Sequence, residues 1–484
     1  MKLFILSILL LVSDFAYGQV SWEYFSDGGN TLSDIAKDVE ELADGYIVTG
    51  NLNCPDSNYT YLCNVFLLKL DKDGNELWRK EYDFENNTAE SIEVTSDGGF
   101  LIGMTHRKGS VSGMYDSEIV VIKTDAIGEI EWTKIIDNGT YEYEIKDLKV
   151  TPDAGGFILV GIASETDSEF EDAWFDIYVY KGNDAGEMEW EYFYGDEDTL
   201  EEGVEITPLN GGGYAIGGFL FTTFNSPNTD FLIIRITEEG NDLWAKTFTG
   251  GDHEKITSTV QAQDGNILAG GYWEINQGGD YQIMKIDVNT GEEIWSNPVS
   301  GIFGGPYFGD IDLTEDGGFL IGFRGNITIF KFDENGNEEW SSYSQKPEYY
   351  ESIHEVKQTE DGGIIAIGDF RNDGYLGDRD VYVTKLTSHG KLTRIENHDI
   401  KKVITEKDIC IYPNPVIELL IIESENFPYE DYVLKIYDGI GREILCQYSS
   451  GQKVEVDVSG FKRGVYWLLV QSEEWGYSRK VIKN

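Results

Sequence analysis

A tryptophan recurs through most of the chain at intervals of 45 to 58 residues, and a glycine turn recurs in step with it. The repeated residues are Trp22, Trp78, Trp132, Trp190, Trp244, Trp295 and Trp340. Self-similarity at a fixed period of this size is typical of a repeat protein, in which each unit packs against its neighbours. This period constrains the fold more strongly than any other feature of the sequence.

Each repeat contains two turn signals. A turn such as Asp97-Gly98-Gly99 comes before an apolar run, and a second turn such as Asp73-Gly74-Asn75 comes before the tryptophan. The two turns predict two β-hairpins, and therefore four antiparallel strands, which is typical of a β-propeller blade. The composition of 55 glycines, 10 prolines, 29 tyrosines and 24 phenylalanines also favours short strands joined by tight turns. We predict an all-β fold.

The two ends of the repeat region are complementary. The first tryptophan strand, at Trp22, stands alone, and the last repeat has three strands, of which the third contains Lys385. We predict a seven-bladed β-propeller in which the N-terminal strand pairs with residues 381–386 and closes the last blade, because this pairing hides two sheet edges. Residues 33–42 have the pattern of an amphipathic helix, but their place in the repeat predicts a strand.

The repeats resemble the Trp- and Gly-rich β-propeller repeats of exported Bacteroidetes proteins, over about residues 20–393. Residues 287–295 also resemble the tryptophan motif of quinoprotein propellers. The resemblance implies the fold and leaves the activity open, since such propellers serve many functions. We do not expect quinoprotein chemistry, because no adjacent pair of cysteines is present.

The first residues have the pattern of a signal peptide. Lys2 comes before an apolar run of ten residues, and Ala16 and Gly18 are spaced as at a signal-peptidase site, so we predict residues 1–18 as the signal peptide, with cleavage before Gln19. The apolar run is about half the length of a membrane-spanning helix. We therefore expect export without a transmembrane segment.

The glycine turns stop after residue 391, and a different pattern follows. We predict a propeller over residues 19–393, a linker over 394–407 and a small β-sandwich over 408–484, where apolar residues alternate along short strands. This last region resembles the type A sorting domain of the type IX secretion system. The residues that carry the resemblance include Tyr412, Pro413, Asn414, Pro415, Gly441, Gly464 and Lys480. It implies handling by the type IX secretion machinery and a secreted or surface-attached product.

The charge balance limits the possible partners. The chain has 37 basic and 88 acidic residues, a net charge of −51. Such a charge repels phosphate backbones and anionic lipid head groups, which argues against nucleic acid and membrane surfaces as partners.

The four cysteines suit an oxidising compartment. We predict a disulfide between Cys54 and Cys63, which have eight residues between them. Metal binding is the alternative, but no histidine or second cysteine pair lies beside them at zinc spacing. The pairing of Cys410 and Cys446 stays open.

Two aromatic pairs are candidate ligand-binding residues. The loops between the second and third strands vary most in length, and we place Trp174, Phe175, Tyr272 and Trp273 in two of these loops, beside carboxylates and amides. Exposed rings beside polar groups are typical of a sugar-binding site. The alternative is that the rings cover the outer rim of a blade.

An acidic residue also recurs, twelve residues after a tryptophan, at Asp34, Glu90, Glu144 and Glu202. These positions begin the innermost strands, so their carboxylates are candidates for a site that binds calcium, a cation that prefers oxygen ligands. The alternative is that each acid bonds backbone N–H groups or a basic side chain of the repeats. No other cofactor is indicated.

Catalytic signals are sparse. The five histidines form no metal-spaced pair, and no Gly-x-Ser-x-Gly or phosphate-binding loop is present. The sequence therefore favours an extracellular binding module for a glycan or a protein, and leaves catalysis undecided. The alternatives are an extracellular carbohydrate-active enzyme and a structural surface protein without a small ligand.

Overall fold

The computed structural model describes residues 21–26, 32–54, 63–111, 114–152, 155–165, 175–195, 199–221, 228–250, 253–275, 278–299, 308–323, 328–343, 350–371, 379–390, 410–423, 432–438, 443–449, 453–471 and 476–484. The predicted signal peptide, the predicted linker, Trp174 and Gly441 lie outside these ranges. The chain divides into two compact units, one of Ser21–Leu392 and one that contains Thr393–Asn484. The described residues contain β-strands and no helix, which confirms the all-β prediction.

The first sheet of the larger unit is antiparallel and has seven strands. In order across the sheet they are β2 (Ser33–Leu42), β3 (Gly45–Cys54), β4 (Cys63–Asp71), β5 (Glu76–Val94), β6 (Phe100–Val111), β7 (Met114–Thr124) and β8 (Ile130–Ile136). Strand β5 is long because residues 76–94 contain no glycine or proline to interrupt it. Its first half pairs with β4 and its second half with β6, so one strand serves two repeats.

Five four-stranded antiparallel sheets follow among the described residues of this unit. They are β9 (Tyr141–Val150), β10 (Gly156–Glu165), β11 (Phe175–Asn183) and β12 (Met188–Tyr194); β13 (Leu200–Pro208), β14 (Tyr214–Phe221), β15 (Thr229–Ile236) and β16 (Asp242–Phe248); β17 (His253–Gln261), β18 (Ile267–Ile275), β19 (Gly278–Ile286) and β20 (Glu293–Val299); β21 (Phe308–Leu313), β22 (Phe319–Phe323), β23 (Thr328–Phe332) and β24 (Glu338–Tyr343); and β25 (Tyr350–Gln358), β26 (Ile364–Arg371) and β27 (Asp380–Leu386) with β1 (Trp22–Ser26).

We number the repeats 1 to 7 along the chain. Repeat 1 is β2 to β4 with the first half of β5, repeat 2 is the second half of β5 with β6 to β8, and repeats 3 to 7 are the five four-stranded sheets in the order given. This series of four-stranded antiparallel units is β-propeller-like.

The N-terminal strand lies where the sequence predicts it. Strand β1 pairs antiparallel with β27, with Trp22 opposite Lys385 and Ser26 opposite Val381. Residues 33–42 form strand β2, as their place in the repeat predicts. Both predictions are confirmed, and repeat 7 therefore combines strands from the two ends of the larger unit.

The hydrophobic core lies between adjacent repeats. Leu67 of repeat 1, for example, belongs to one buried cluster with Ile102 and Val120 of repeat 2. The second strand of a repeat is covered on both faces, and in β22 every residue is buried. Such strands read as continuous apolar runs because neither face meets water.

The repeated tryptophans pack on turn glycines of the following repeat. Gly74 has φ of +82°, and a Cβ atom added there would lie 2.4 Å from Cδ2 of Trp22. The Trp22 indole also donates to the Lys72 carbonyl oxygen over 3.0 Å. Positive φ without a side chain favours glycine and lets the ring approach the backbone closely. The same contact joins Trp78 to Gly128, Trp132 to Gly186, Trp190 to Gly240, Trp244 to Gly291, Trp295 to Gly336 and Trp340 to Gly390.

Hydrogen bonds join the first strands of successive repeats. Carboxylates accept from backbone N–H groups of the next repeat in five pairs: Asp38 from Ile92, Asp147 from Ile206, Glu205 from Thr259, Asp312 from Gln358 and Glu355 from Val39. The hydroxyl of Ser91 donates to the Leu148 carbonyl, and that of Ser258 accepts from the Ile311 N–H. Glu355 lies in repeat 7 and Val39 in repeat 1, so the series also joins the last repeat to the first.

Burial changes the protonation of these inner acids. Burial raises the pKa of Glu93 and of Asp312 to about 7. Burial, and then the negative charge of Asp38, holds the pKa of Glu355 well above its usual range. For Lys357, burial lowers the pKa, but the attraction of Glu355 and other acids outweighs it and raises the pKa well above the usual value. Burial therefore favours the protonated form of several carboxyls on the innermost strands.

The smaller unit has two antiparallel sheets among its described residues. One contains β28 (Cys410–Tyr412), β29 (Leu419–Glu423) and β32 (Lys453–Asp457); the other contains β30 (Tyr432–Asp438), β31 (Glu443–Ser449), β33 (Gly464–Gln471) and β34 (Gly476–Lys483). Buried residues of both sheets, such as Leu420 and Leu468, share one core. Asn414 joins the start of the unit to its last strand: its side chain donates to the Lys480 carbonyl and accepts from the Ile482 N–H.

Replacement of Gly74 by alanine tests the contact between tryptophan and glycine. We expect Gly74→Ala to lower the free energy of unfolding by about 1–2 kcal/mol for the positive φ and by roughly 1–3 kcal/mol more because the Trp22 ring must move. Gly98→Ala is the matched control, since Gly98 has φ of +83° but no atom within 4 Å of an added Cβ. Urea titration measures both losses, and equal losses would contradict a role for the ring.

The buried acids predict that the stability of the larger unit falls as pH rises from about 4 to 7. Glu93 and Asp312 have a higher pKa in the folded chain than in the unfolded chain, so the folded state holds more protons across this window and loses stability as they leave. At about 1.4 kcal/mol per pKa unit, the two acids each change the free energy of unfolding by roughly 3–4 kcal/mol across this window.

Melting temperatures between pH 4 and pH 8 measure this dependence. Glu93→Gln and Asp312→Asn keep a hydrogen-bond acceptor and remove the titration, so each should flatten the curve. Glu292→Gln is the control, because the Glu292 side chain is 72% exposed. A melting temperature that rises from pH 5 to pH 8 in the parent chain would contradict the prediction.

Candidate functional site

The structure describes three of the four aromatic candidates. Phe175 begins β11, and its ring meets the edge of Phe221 in repeat 4, with the ring centroids 5.9 Å apart. Phe175 therefore packs between neighbouring repeats. Trp174, directly before it, lies outside the described residues, and its role in ligand binding stays a prediction.

The predicted loop position of Tyr272 and Trp273 is wrong. Both residues lie inside strand β18, where Trp273 is opposite Glu254 on one side and Asp280 on the other. The hairpin of β18 and β19 is longer than predicted because the two strands stay paired as far as Ile275 and Gly278. The Trp273 ring packs against the edge of Phe231 at a centroid distance of 5.2 Å, so part of its surface is used between repeats 4 and 5. Whether either residue binds a ligand stays a prediction.

Cys54 and Cys63 form a disulfide between the end of β3 and the start of β4. The bond joins the two strands on either side of residues 55–62. Cys54 also lines the cavity described below. The disulfide therefore holds one wall of that cavity.

The four acidic residues that recur twelve residues after a tryptophan lie on the first strands of repeats 1 to 4, in β2, β5, β9 and β13. The Asp34 carboxylate accepts from the backbone N–H of Asn53 at 2.8 Å. Glu90 pairs with Lys37 at 2.7 Å, and Lys146 lies 3.2 Å from Glu202. The described residues therefore surround these acids with backbone donors and basic side chains.

The described residues contain no group of three acidic, histidine or cysteine side chains placed to hold a metal ion. Calcium binding at Asp34, Glu90, Glu144 and Glu202 stays a prediction, and the ion pairs of three of these acids disfavour it. A basic side chain near an acid competes with a cation for the same oxygen atoms.

A cavity of about 350 Å³ opens where the first strands of four repeats begin. Its lining comes from repeats 1, 2, 3 and 7. The charged or titratable members are Lys37, Glu90, Arg107, Glu144, Lys146, His354 and Arg379. We call this the mouth cavity. Four cations and two carboxylates line it, in a protein whose net charge is −51.

Ion pairs fix most of these charged groups. Arg107 donates to Glu144 at 2.5 Å, and Lys146 lies 3.4 Å from the other oxygen of the same carboxylate. For Glu144, burial raises the pKa, but Lys146 and Arg107 outweigh it and lower the pKa below its usual value. The Lys146 pKa is raised despite burial, because Glu202, Glu144 and Glu90 surround it. Glu144 and Lys146 therefore both remain charged.

A second cluster lies on the repeat 7 side of the mouth cavity. His354 Nε2 is 2.8 Å from the buried Asp369, whose other oxygen is 3.9 Å from Nε of Arg379. The Arg379 backbone is held at both ends: its N–H donates to Ser33 Oγ, and its carbonyl accepts from the Asp34 N–H. The Arg379 guanidinium donates no hydrogen bond within the described part of the chain, and its side chain is 34% exposed.

Sequence reasoning identified Glu90 and Glu144 at this cavity and missed its basic side chains. One available signal was the position of Lys37 and Lys146 on first strands, beside the acidic recurrence of a strongly acidic chain. His354 and Arg379 had no comparable signal, since their relation to repeat 1 depends on how the two ends of the larger unit meet.

Several solved structures are similar to this chain at low identity. They include virginiamycin B lyase from Staphylococcus aureus, with 14% identity over 76% of this chain and 98% of that chain and a TM-score of 0.46. The polysaccharide lyase Uly1 has 11% identity over 73% and 90%, with a TM-score of 0.47. BamB from Moraxella catarrhalis has 13% identity over 80% and 92%, with a TM-score of 0.38. At these values no activity carries over to this chain.

The comparison with curated proteins finds no match for the chain. Among the described residues, no helix has the length and apolar character needed to cross a membrane.

The C-terminal residues have a clear relationship. Residues 410–484 match the family of secretion system C-terminal sorting domains. The matched range includes the Tyr412 to Pro415 motif and Lys480, whose carbonyl oxygen accepts from Asn414. The resemblance of this region to a type IX sorting domain is therefore confirmed. The chain carries a sorting domain that type IX machinery handles, which indicates a secreted or cell-surface protein.

Proposed function

We propose that the larger unit is a closed seven-bladed β-propeller that serves as an extracellular binding module for a glycan or a surface protein. In this proposal, residues 19–393 form the propeller and residues 408–484 form a β-sandwich sorting domain after a linker of residues 394–407. Two series of contacts support the closed ring. Trp22 of repeat 7 packs on Gly74 of repeat 1, and Glu355 of repeat 7 accepts from Val39 of repeat 1.

The mouth cavity is the observation that carries the binding function. Recognition sites in proteins are concave and gather a few placed polar groups from several elements. Here strands of four repeats contribute cations, carboxylates and the Asn51 side chain to one cavity of about 350 Å³. Ion pairs hold these groups in place before a ligand arrives, which lowers the cost of binding.

One observation favours the alternative of a carbohydrate-active enzyme. His354 and Asp369 form a pair at 2.8 Å on the wall of the same cavity, and a histidine oriented by a carboxylate is a common general base. Binding assays should therefore include a measurement of product release.

The sorting domain predicts where a truncated chain accumulates. A chain that ends at Lys407 lacks residues 410–484 and should remain in the periplasm, while the full chain reaches the medium or the cell surface. Cell fractionation and immunoblotting in a host with type IX machinery measure this. Protease resistance of the retained chain checks its folding. Surface exposure of the truncated chain at the full-length level would contradict the prediction.

Binding by the full chain tests the proposed function. We expect the exported chain to bind one or more members of a panel of extracellular glycans and surface proteins. Lys37→Gln should weaken that binding about tenfold, because Lys37 lines the cavity and charge-assisted contacts contribute about 1.5–3 kcal/mol. Lys246→Gln is the control: Lys246 forms an ion pair of the same 2.7 Å length with Glu292, but on outer strand β16.

The same panel tests the aromatic candidates. Trp174→Ala and Trp273→Ala should weaken binding roughly thirtyfold if these rings contact the ligand. Trp467→Ala, at an exposed tryptophan of the smaller unit, is the control. Full affinity in both variants would remove these rings from the site, and absence of any bound glycan or protein would contradict the proposed function itself.

A further inference from the structure

The charges of the mouth cavity differ from those of the rest of the chain. The whole protein has about two acidic residues for each basic one, whereas four cations and two carboxylates line the cavity, and Glu202 and Asp369 pair with two of these cations from outside the lining. In a protein with this excess of acids, four cations around one small space are unexpected on composition alone. Their position favours a ligand with negative charge.

Arg379 is the cation best placed to bind such a ligand. Its backbone is held by Ser33 and Asp34, while its guanidinium donates no hydrogen bond within the described residues and lies 3.9 Å from the nearest carboxylate oxygen, on Asp369. Lys37 and Arg107, by contrast, already have close acidic partners. A guanidinium presents a planar set of donors that matches a carboxylate, and it binds carboxylates in a two-pronged geometry.

The remaining lining indicates what surrounds the negative group. Asn51, Thr88 and Thr105 supply amide and hydroxyl groups, and Glu90 and Glu144 supply acceptors for ligand hydroxyls. Among the described residues, the apolar lining consists of Ile35, Cys54 and Ile145, without a Phe, Tyr or Trp ring. A sugar carboxylate is surrounded by ring hydroxyl groups, so it suits a lining that supplies donors and acceptors on several sides.

The net charge limits the size of the anion. A long polyuronate brings many negative charges toward a surface of net −51 and is repelled before it reaches the cavity. One carboxylate on an otherwise neutral sugar chain avoids this repulsion. Repulsion acts over about 8–10 Å at ordinary salt, so it falls on the neighbouring sugars more than on the bound residue.

We propose that the mouth cavity binds a single uronate residue of an extracellular glycan, with Arg379 as the contact for its carboxylate. This inference rests on the proposed binding function and names the ligand class of the same site. Lys37, Arg107 and Lys146 supply the positive surroundings, and Glu90 and Glu144 accept from the hydroxyl groups of the sugar.

Calorimetric titration of the full chain with glucuronate tests the proposal. Glucose is the neutral counterpart, and N-acetylglycine represents a peptide carboxylate. We expect glucuronate to bind at least tenfold more tightly than either compound. Equal binding of glucose, or tighter binding of N-acetylglycine, would overturn the assignment of a sugar carboxylate, and so would absence of glucuronate binding.

Variants of Arg379 test the assigned contact. Arg379→Gln should weaken glucuronate binding about tenfold and leave glucose unchanged, and Arg379→Lys should recover part of the loss. Arg463→Gln, at an exposed arginine of the smaller unit, is the control. Melting temperatures check that the variants fold. Unchanged glucuronate affinity in Arg379→Gln would overturn the proposal.

The two levels of the proposal fail in different ways. If the chain binds glycans or proteins of the panel but shows no preference for glucuronate over glucose, the uronate assignment is wrong and the binding function stands. If nothing in the panel binds, both are wrong.

Discussion

The contact between a tryptophan ring and a positive-φ glycine of the next repeat is the interaction on which the larger unit depends. It occurs at seven places, from Trp22 on Gly74 to Trp340 on Gly390. Glycine is required at this turn for two reasons: the backbone has a positive φ, and a side chain would collide with the tryptophan ring. The turn and the ring position therefore depend on each other. Because the contact joins different repeats, each four-stranded unit is oriented by its neighbour as well as by its own hairpins.

The innermost strands of successive repeats are joined by hydrogen bonds, and the acceptors in several of these bonds are buried carboxylates. Backbone N–H groups of one repeat donate to a carboxylate or hydroxyl of the repeat before it, as with Asp38 and Ile92. Burial then favours the protonated form of several of these acids, while Lys357 keeps its charge. Near the start of the same strands, Lys37, Arg107 and Lys146 form ion pairs with Glu90, Glu144 and Glu202. The cavity lining thereby gathers four cations beside two carboxylates, while Glu202 and Asp369 pair with two of those cations from outside the lining.

The sequence predicted more of the fold than of the candidate site. The pairing of the Trp22 strand with residues 381–386 followed from counting strands, because a repeat with a missing strand leaves an edge that another strand must cover. The predicted loop position of Trp273 was wrong, because the length of a hairpin depends on the pairing between its strands, and glycine turns alone do not specify that length. The acids Glu90 and Glu144 were found as a recurrence, but the sequence did not distinguish a metal site from ion pairs. Their partner cations lie 53 and 37 residues away.

The sequence by itself determined the all-β class, the repeat, the strand that joins the two ends and the sorting domain at residues 410–484. These features can be read from the sequence because they depend on short stretches of chain, through the residues that form turns and the alternation of side chains along a strand. Only the tertiary structure decided which charges meet. Arg379 reaches the mouth cavity because its backbone bonds to Ser33 and Asp34, about 345 residues earlier in the chain. No short pattern encodes that approach, because it is the sum of the angles between all the repeats in between.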